Sequence, residues 1–364
     1  MKKSIFILVT IDFIVAICFF LTYGPISYFR NFLITTAMTT MDHKYLAKIF
    51  YSEDTINRVL SENTIEGFST GTDTSQIDIG GSDEDNKYAS AYEKEILDHK
   101  KDDVYKLIEF EYNGYDAYLV AVYDPTRISL IQTNKLGSYG QTLLNMAKDN
   151  NALVAINAGG FEDPNGQGNG GTPMGSVIKN GKVVWGSNSA PTAMAGFTDK
   201  GVLLLSYGSP SDAIKQGMKD AVQFGPFLIV NGVSATINGN GGWGINPRTA
   251  IAQRKDGIVL FLVIDGNGAN RYNWSGRGGA TLNDVIAIFE RYGAYNAVNM
   301  DGGASTNLII ENKLWNNPCA ISSTGERELP NGWMVKWYIV SLFNFYCLIY
   351  FKKQWFFDRI DRRW

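Results

Sequence analysis

An apolar run from Ile258 to Ile264 ends at Asp265-Gly266, a helical pattern covers Leu282 to Tyr292, and a second strand-like run ends at Asp301-Gly302-Gly303. Strand, helix, strand in that order leaves few topologies, because a helical crossover returns the chain parallel to the strand it left. Both carboxylates are thereby expected at one edge of a sheet. Open sheets of this kind bind ligands outside the carboxyl ends of their strands. The helix is well marked, with Thr281 as N-cap, Asp284 in the first turn and Gly293 as C-cap.

Around this unit other chemistry-bearing residues are expected to gather. The stretch Tyr295 to Asn307 carries Asp301, two glycines that let backbone approach a ligand, and the short polar groups Ser305, Thr306 and Asn307. A hairpin, Thr249 to Gln253 turning at Asp256-Gly257 into Ile258 to Ile264, brings Arg248 beside Asp265. Asn157 ends the buried-looking strand Ala152 to Ile156 just before more glycines, and is expected at the same edge. Arginine's planar fork suits phosphate oxygens, and paired carboxylates serve glycosidic cleavage. The plainer alternative is an ion bridge between Arg248 and Asp265 beside ordinary glycine turns.

Elsewhere in the body, Asn113-Gly114, Asn180-Gly181 and Asn231-Gly232 separate strand-like runs and signal hairpins. Ser209-Pro210 opens a short helix as N-cap and first-turn proline. The fold class expected is α/β in the mixed α+β sense. It comprises a twisted mixed sheet with several hairpins, at least one βαβ crossover and flanking helices, preceded by an N-terminal transmembrane helix.

Composition removes several function classes. The net charge of the 364 residues is −3, with no basic cluster interleaved with aromatics, so nucleic acid is not an expected partner. The histidines are His43 and His99, both ahead of the glycine-rich segment, so no Ser-His-Asp, Cys-His or histidine-zinc arrangement assembles there. Cys18, Cys319 and Cys347 are too scattered for a disulfide framework. Chemistry in the body therefore falls to carboxylates, arginine, amides and hydroxyls. No cofactor is required by the sequence, and a divalent metal stays unassigned.

The ends of the chain divide differently. Lys2 and Lys3 precede an apolar run from Ile5 to Tyr23 broken only by Asp12, read as a membrane anchor over 1–25, with a cleaved signal peptide as the competitor. The positive-inside rule puts the remainder outside the cytoplasm. Residues 26–103 read as a stalk and polar linker with a helix near Thr55 to Leu60 and a solvated acidic run Asp83-Glu84-Asp85. The domain proper spans 104–336. An apolar and aromatic tail occupies 337–364, read as a second span, an interfacial segment or an altered end.

The segments NAGGF, FGPFLIVNG, NPRTAIAQ, LVIDG, GATLNDVIAIF, NMDGGAST and RELPN, in that order from Asn157 to Asn331, resemble the phosphodiester glycosidase family. The resemblance covers about Val104 to Lys336. It implies an α/β domain that hydrolyses the glycosidic bond of a sugar-1-phosphodiester, in members often anchored at a bacterial surface. Carried over by matching, Asp301 and Asp265 are the catalytic pair, with Arg248, Asn157, Gly302 and Gly303, joined by Ser305 and Thr306, on the substrate. Asp301 is expected to be the ionised member, held low by the Gly302 and Gly303 N–H groups, and Asp265 the partner in proton transfer or substrate positioning. Glu162 and Asp163 stand next in line. Where many relatives carry an arginine after LVIDG, Asn267 stands here, with Arg271 and Arg277 later. The expected partners are a surface glycan, polymer or glycolipid phosphodiester and the membrane. The rival function is a non-catalytic module binding phosphorylated glycans, which would lack a carboxylate of raised pKa.

Overall fold

The computed structural model describes residues 2–39, 44–80, 88–267 and 278–337. His43, the acidic run at 83–85, Arg271, Arg277, Cys347 and the tail beyond Trp337 lie outside them. The domain is an α+β assembly of three main sheets. Seven strands form the largest, in the order Val233–Ser234, Phe227–Val230, Ala294–Asn299, Arg248–Arg254, Val259–Ile264, Tyr115–Val122, Tyr105–Tyr112. A five-stranded sheet runs Lys313–Leu314, Leu308–Ile310, Ala152–Asn157, Asn331–Lys336, Ile128–Gln132. The other runs Lys182–Trp185, Val177–Lys179, Met218–Gln223, Thr192–Thr198, Leu203–Gly208.

The crossover is present in a modified form. Strands Val259–Ile264 and Ala294–Asn299 each pair antiparallel with Arg248–Arg254, which lies between them. They therefore run parallel without touching, and helix Leu282–Arg291 makes the connection. Its N-terminus is a capping box in which Thr281 and Asp284 satisfy each other's backbone N–H groups. The pairings among the described strands are antiparallel, so the expected mixed sheet resolves into several antiparallel ones.

The hairpins follow local chemistry. Asn113-Gly114, Asn180-Gly181 and Asn231-Gly232 all take positive φ at both positions, as a type I′ turn requires. Glu311 and Asn312 do the same at φ 48° and 64°, joining Leu308–Ile310 to Lys313–Leu314 without the Asn-Gly signal.

Two apolar layers hold the sheets. Between sheets lie Val120, Phe261, Val263 and Val298 from the large sheet, Leu130, Ile156 and Trp333 from one small sheet, and Leu205 and Val222 from the other. Trp333 meets Phe197 edge to face at 5.3 Å. On the outer face of the large sheet, Ala250, Leu262 and Ile264 pack on Val285, Ile288 and Phe289 of the crossover helix.

Residues 26–80, expected as stalk and linker, are largely folded where described. Helices Ser27–Thr39, Lys44–Phe50 and Glu53–Glu62 bury Ile34, Ala37, Ala47, Tyr51, Ile56 and Val59 against one another. Ile65–Glu66 then pairs with Thr236–Ile237 of the domain. The polar composition is spent on cross-bonds, among them Thr72 N–H to Leu205 and Asp78 N–H to Lys255. Ahead of this cluster, helix Lys2–Tyr23 includes an apolar stretch, Phe6–Tyr23, long enough to cross a membrane.

Candidate active site

Three chain segments meet where the large sheet abuts the sheet containing Ala152–Asn157. Strand Ala294–Asn299 ends there, and Asp301 N–H donates to Ala158 O at 3.0 Å. Asn157, at the end of its own strand, donates from Nδ2 to Asp301 O at 2.6 Å. Asn331, opening the last strand, accepts Gly159 N–H on Oδ1 at 2.8 Å. Asn157 thus reaches the site from a facing sheet and not from the edge of the same one. Its Oδ1 accepts Thr249 Oγ1 at 2.7 Å and Asn307 N–H at 3.1 Å, and the residue is fully enclosed.

The Asp301-Gly302-Gly303 turn needs its glycines. A Cβ at Gly302 would stand 2.6 Å from Pro247 O, and Gly303 takes φ 60° while donating its N–H to that same carbonyl at 2.8 Å. Asp301 keeps partial solvent contact beside Gly160, where an added Cβ would meet Asp301 Cγ at 3.9 Å and the Phe224 ring at 3.0 Å.

Burial pushes the Asp301 carboxyl up to about 6, and the charge of Asp163 pushes the same way. The Ser305 hydroxyl, Arg327 and the Gly302 N–H pull against this and lose. The expectation of an Asp301 held low is therefore corrected. One of the two glycine N–H groups is spent on Pro247, and enclosure by protein outweighs the other.

Asp163 and Arg327 complete the surroundings. Arg327 Nη2 lies 2.6 Å from Asp163 Oδ2, and its guanidinium stacks over Phe161 at 4.4 Å. Asp163 also accepts the Gly168 N–H at 2.7 Å. Arg327 is the first residue of the RELPN segment, yet nothing in its neighbours assigns it a role. The pairing joins positions far apart in the chain and is visible only in the fold.

Arg248 and Asp265 do not form a pair. Arg248 stands opposite Ile264 in the hairpin, so the pleat turns it with Ile264 toward the crossover helix while Asp265 turns with Val263 toward the other sheet. Arg248 donates from Nε to Ala280 O at 2.8 Å and from Nη2 to Trp243 O at 3.0 Å and Gly244 O at 2.6 Å. Burial pulls its pKa down to about 10, with Asp284 pulling back. Asp265 accepts Asn316 Nδ2 and Asn317 N–H, both at 2.7 Å. Burial raises its carboxyl above the ordinary value against these bonds. Asn316 also donates to Thr306 O at 3.2 Å and accepts Leu308 N–H at 2.7 Å, so Asp265 braces the loop that carries Ser305 and Thr306. Among the described residues no cluster of histidine, cysteine and carboxylate groups forms a metal site.

Comparison with known proteins gives the family. The sequence profile of the family described as phosphodiester glycosidase matches residues 150–336, about half of the chain. The SPbeta prophage-derived uncharacterized protein YomE of Bacillus subtilis is 30% identical over 203 residues, 53% of this chain and 29% of that protein. The N-acetylglucosamine-1-phosphodiester alpha-N-acetylglucosaminidase of Mus musculus is 24% identical over 238 residues, 57% of this chain and 42% of that protein. The chain thus spans less than half the length of either relative. The catalytic domain of the zebrafish enzyme of that name, described as auto-inhibited by its pro-peptide, superimposes with a TM-score of 0.53 at 20% identity. The match covers 66% of this chain and 86% of that one, a likeness of fold.

Proposed function

Since the chain belongs to the phosphodiester glycosidase family, we propose that it hydrolyses the glycosidic bond of a sugar-1-phosphodiester, with Asp301 as the proton-carrying carboxylate. The observation that carries the reading is the Asp301 carboxyl, pushed up to about 6 by burial, with the charge of the Arg327 guanidinium acting on it. A module that merely bound phosphorylated glycans would need the guanidinium alone.

In the proposed reaction Asp301 takes a proton from water as the water oxygen bonds to the anomeric carbon. The bond from that carbon to the phosphate oxygen breaks, and the phosphate leaves as a monoester. Such a leaving group needs little acid assistance, so one titrating carboxylate suffices. Arg327, held by Asp163 and lying over the Phe161 ring, offers its remaining N–H groups to the departing phosphate. Ser305 and Gly302 orient the carboxylate. Among the described residues the Arg248 guanidinium bonds backbone carbonyls and no carboxylate, and its positive charge acts on the phosphate from a distance. Asn157 and Asp265 act as positioning residues.

The mouse relative's name makes N-acetylglucosamine-1-phosphodiesters the first substrates to try. We read Phe6–Tyr23 as a single-pass anchor that leaves the domain outside the cytoplasm, facing surface glycans or glycolipids. The test is release of free sugar from a panel of α-sugar-1-phosphodiesters by the purified chain, with and without chelator. Binding without release across the panel would overturn the hydrolase in favour of the binding module.

A further inference from the structure

Ile26, Tyr28, Tyr45, Ile49 and Phe50 are exposed, between 44% and 76% accessible. All lie in the helical cluster that follows the apolar helix or in the short connection to it. Two observations fix their height relative to it. Only Gly24, Pro25 and Ile26 separate Tyr23 from the next helix, so Ile26 and Tyr28 are set at its end. Tyr51, directly after Phe50, brings its ring within 6.0 Å of the ring of Tyr23, the last residue of the apolar helix.

The short helix Lys44–Phe50 has a mixed outer surface. Tyr45 and Ile49 are one turn apart and exposed, and Lys44 and Lys48, also exposed, lie one residue before each. Residues four apart on a helix stand side by side, so an apolar row runs next to an ammonium row. In water the apolar row gains nothing from exposure. At a headgroup layer the rings and methyls enter the acyl boundary while the ammonium groups reach lipid phosphates.

We propose that the cluster from Ser27 to Phe50 rests on the phospholipid surface that holds the apolar helix, with Tyr45, Ile49 and Phe50 in the headgroup layer. This rests on reading Phe6–Tyr23 as a membrane span, and it deepens the functional reading by bringing the site to the membrane. The same cluster grips the loop before Arg248: Asn240 Nδ2 donates to Thr35 Oγ1 at 2.6 Å, and Asn240 N–H to Asn63 Oδ1 at 3.0 Å. That loop supplies the Trp243 and Gly244 carbonyls that hold Arg248, and the Trp243 ring lies 6.4 Å from Phe224, which packs beside Gly160 and Asp301. The proposed lipid-facing cluster is therefore joined through hydrogen bonds to the loop that holds Arg248.

The test uses the full chain in phospholipid nanodiscs containing a lipid with a photoreactive group at headgroup depth, with labelled peptides mapped by mass spectrometry. Labelling is expected in 44–50 as well as in 6–23, and the double variant Ile49→Ser, Phe50→Ser is expected to lose most of the former and keep the latter. Label confined to 6–23 overturns the surface contact while leaving the span intact. Absence of label from both segments overturns the span and the contact together, and neither result touches the hydrolase reading. Equal labelling of exposed apolar residues elsewhere, such as Val184, also overturns it, since exposure alone would then account for the signal.

Discussion

Asn157 Nδ2 donates to the backbone carbonyl of Asp301 at 2.6 Å, so the end of one sheet holds the main chain of a carboxylate delivered by another. The same amide oxygen takes Thr249 Oγ1 and Asn307 N–H, leaving the side chain committed on both sides. Replacing it strands buried partners, at about 1–3 kcal/mol for each group left unsatisfied. Asn157→Ala is expected to lose about 2–4 kcal/mol of stability and to lower turnover, read from denaturant midpoints and sugar release. An unchanged midpoint would mean that water replaces the amide and that the bridge is not structural.

Arg248→Lys keeps the charge and loses the geometry. One ammonium cannot reproduce the Nε and Nη2 bonds to Ala280, Trp243 and Gly244, so stability is expected to fall by about 1–3 kcal/mol. Turnover is expected to fall by roughly one to three orders of magnitude, on the scale of a lost charged hydrogen bond. If turnover survives once the loss of stability is offset by assaying at lower temperature, Arg248 only holds the loop and contributes nothing to the phosphate.

How much of this was legible depends on whether a feature is local. The Asn-Gly turns, the Thr281 cap and the parallel run of the two carboxylate strands could be read because each rests on a few neighbouring residues. Arg248 and Asp265 were expected to meet because the hairpin makes them neighbours along the backbone, and the pleat then separates them by face. The sign of the Asp301 shift was inaccessible. Local N–H donors are visible in a sequence, whereas enclosure by Gly160, Phe224 and a second sheet is not. Arg327 escaped for the same reason, its pairing with Asp163 spanning 164 positions.

Asp301→Asn should separate stability from activity. The folded carboxyl titrates near 6 and an unfolded one near the ordinary 3.8, so between these values the folded state binds more protons than the unfolded. Stability contributed by this group is therefore greatest below the unfolded value, declines as pH rises toward 6, and is lowest above it. The cost at neutral pH is on the order of 2–3 kcal/mol. The amide carries no such cost, so the variant is expected to be as stable as the parent at pH 4 and more stable at pH 7, while turnover drops at least about a hundredfold. Retention of more than a tenth of parental activity would move the chemistry to another carboxylate, Asp163 first.

The acid limb of the pH profile should then move in opposite directions when the two neighbours are altered. With Asp301 as the base, kcat/KM is expected to fall as pH drops through about 6. Asp163 raises the Asp301 pKa by its charge, and Arg327 lowers it. Asp163→Asn removes a repelling charge and also releases Arg327 from its partner, both of which favour the ionised form, so the limb should shift to lower pH. Arg327→Gln removes the favourable charge and leaves Asp163 unpaired, so the limb should shift to higher pH and the plateau should fall as the phosphate loses its donor. Rate against pH for the three proteins on one substrate decides the matter. Coincident limbs would show that the titrating group is not Asp301, and shifts of the same sign in both variants would show that a general disturbance of the site, not charge, moves it.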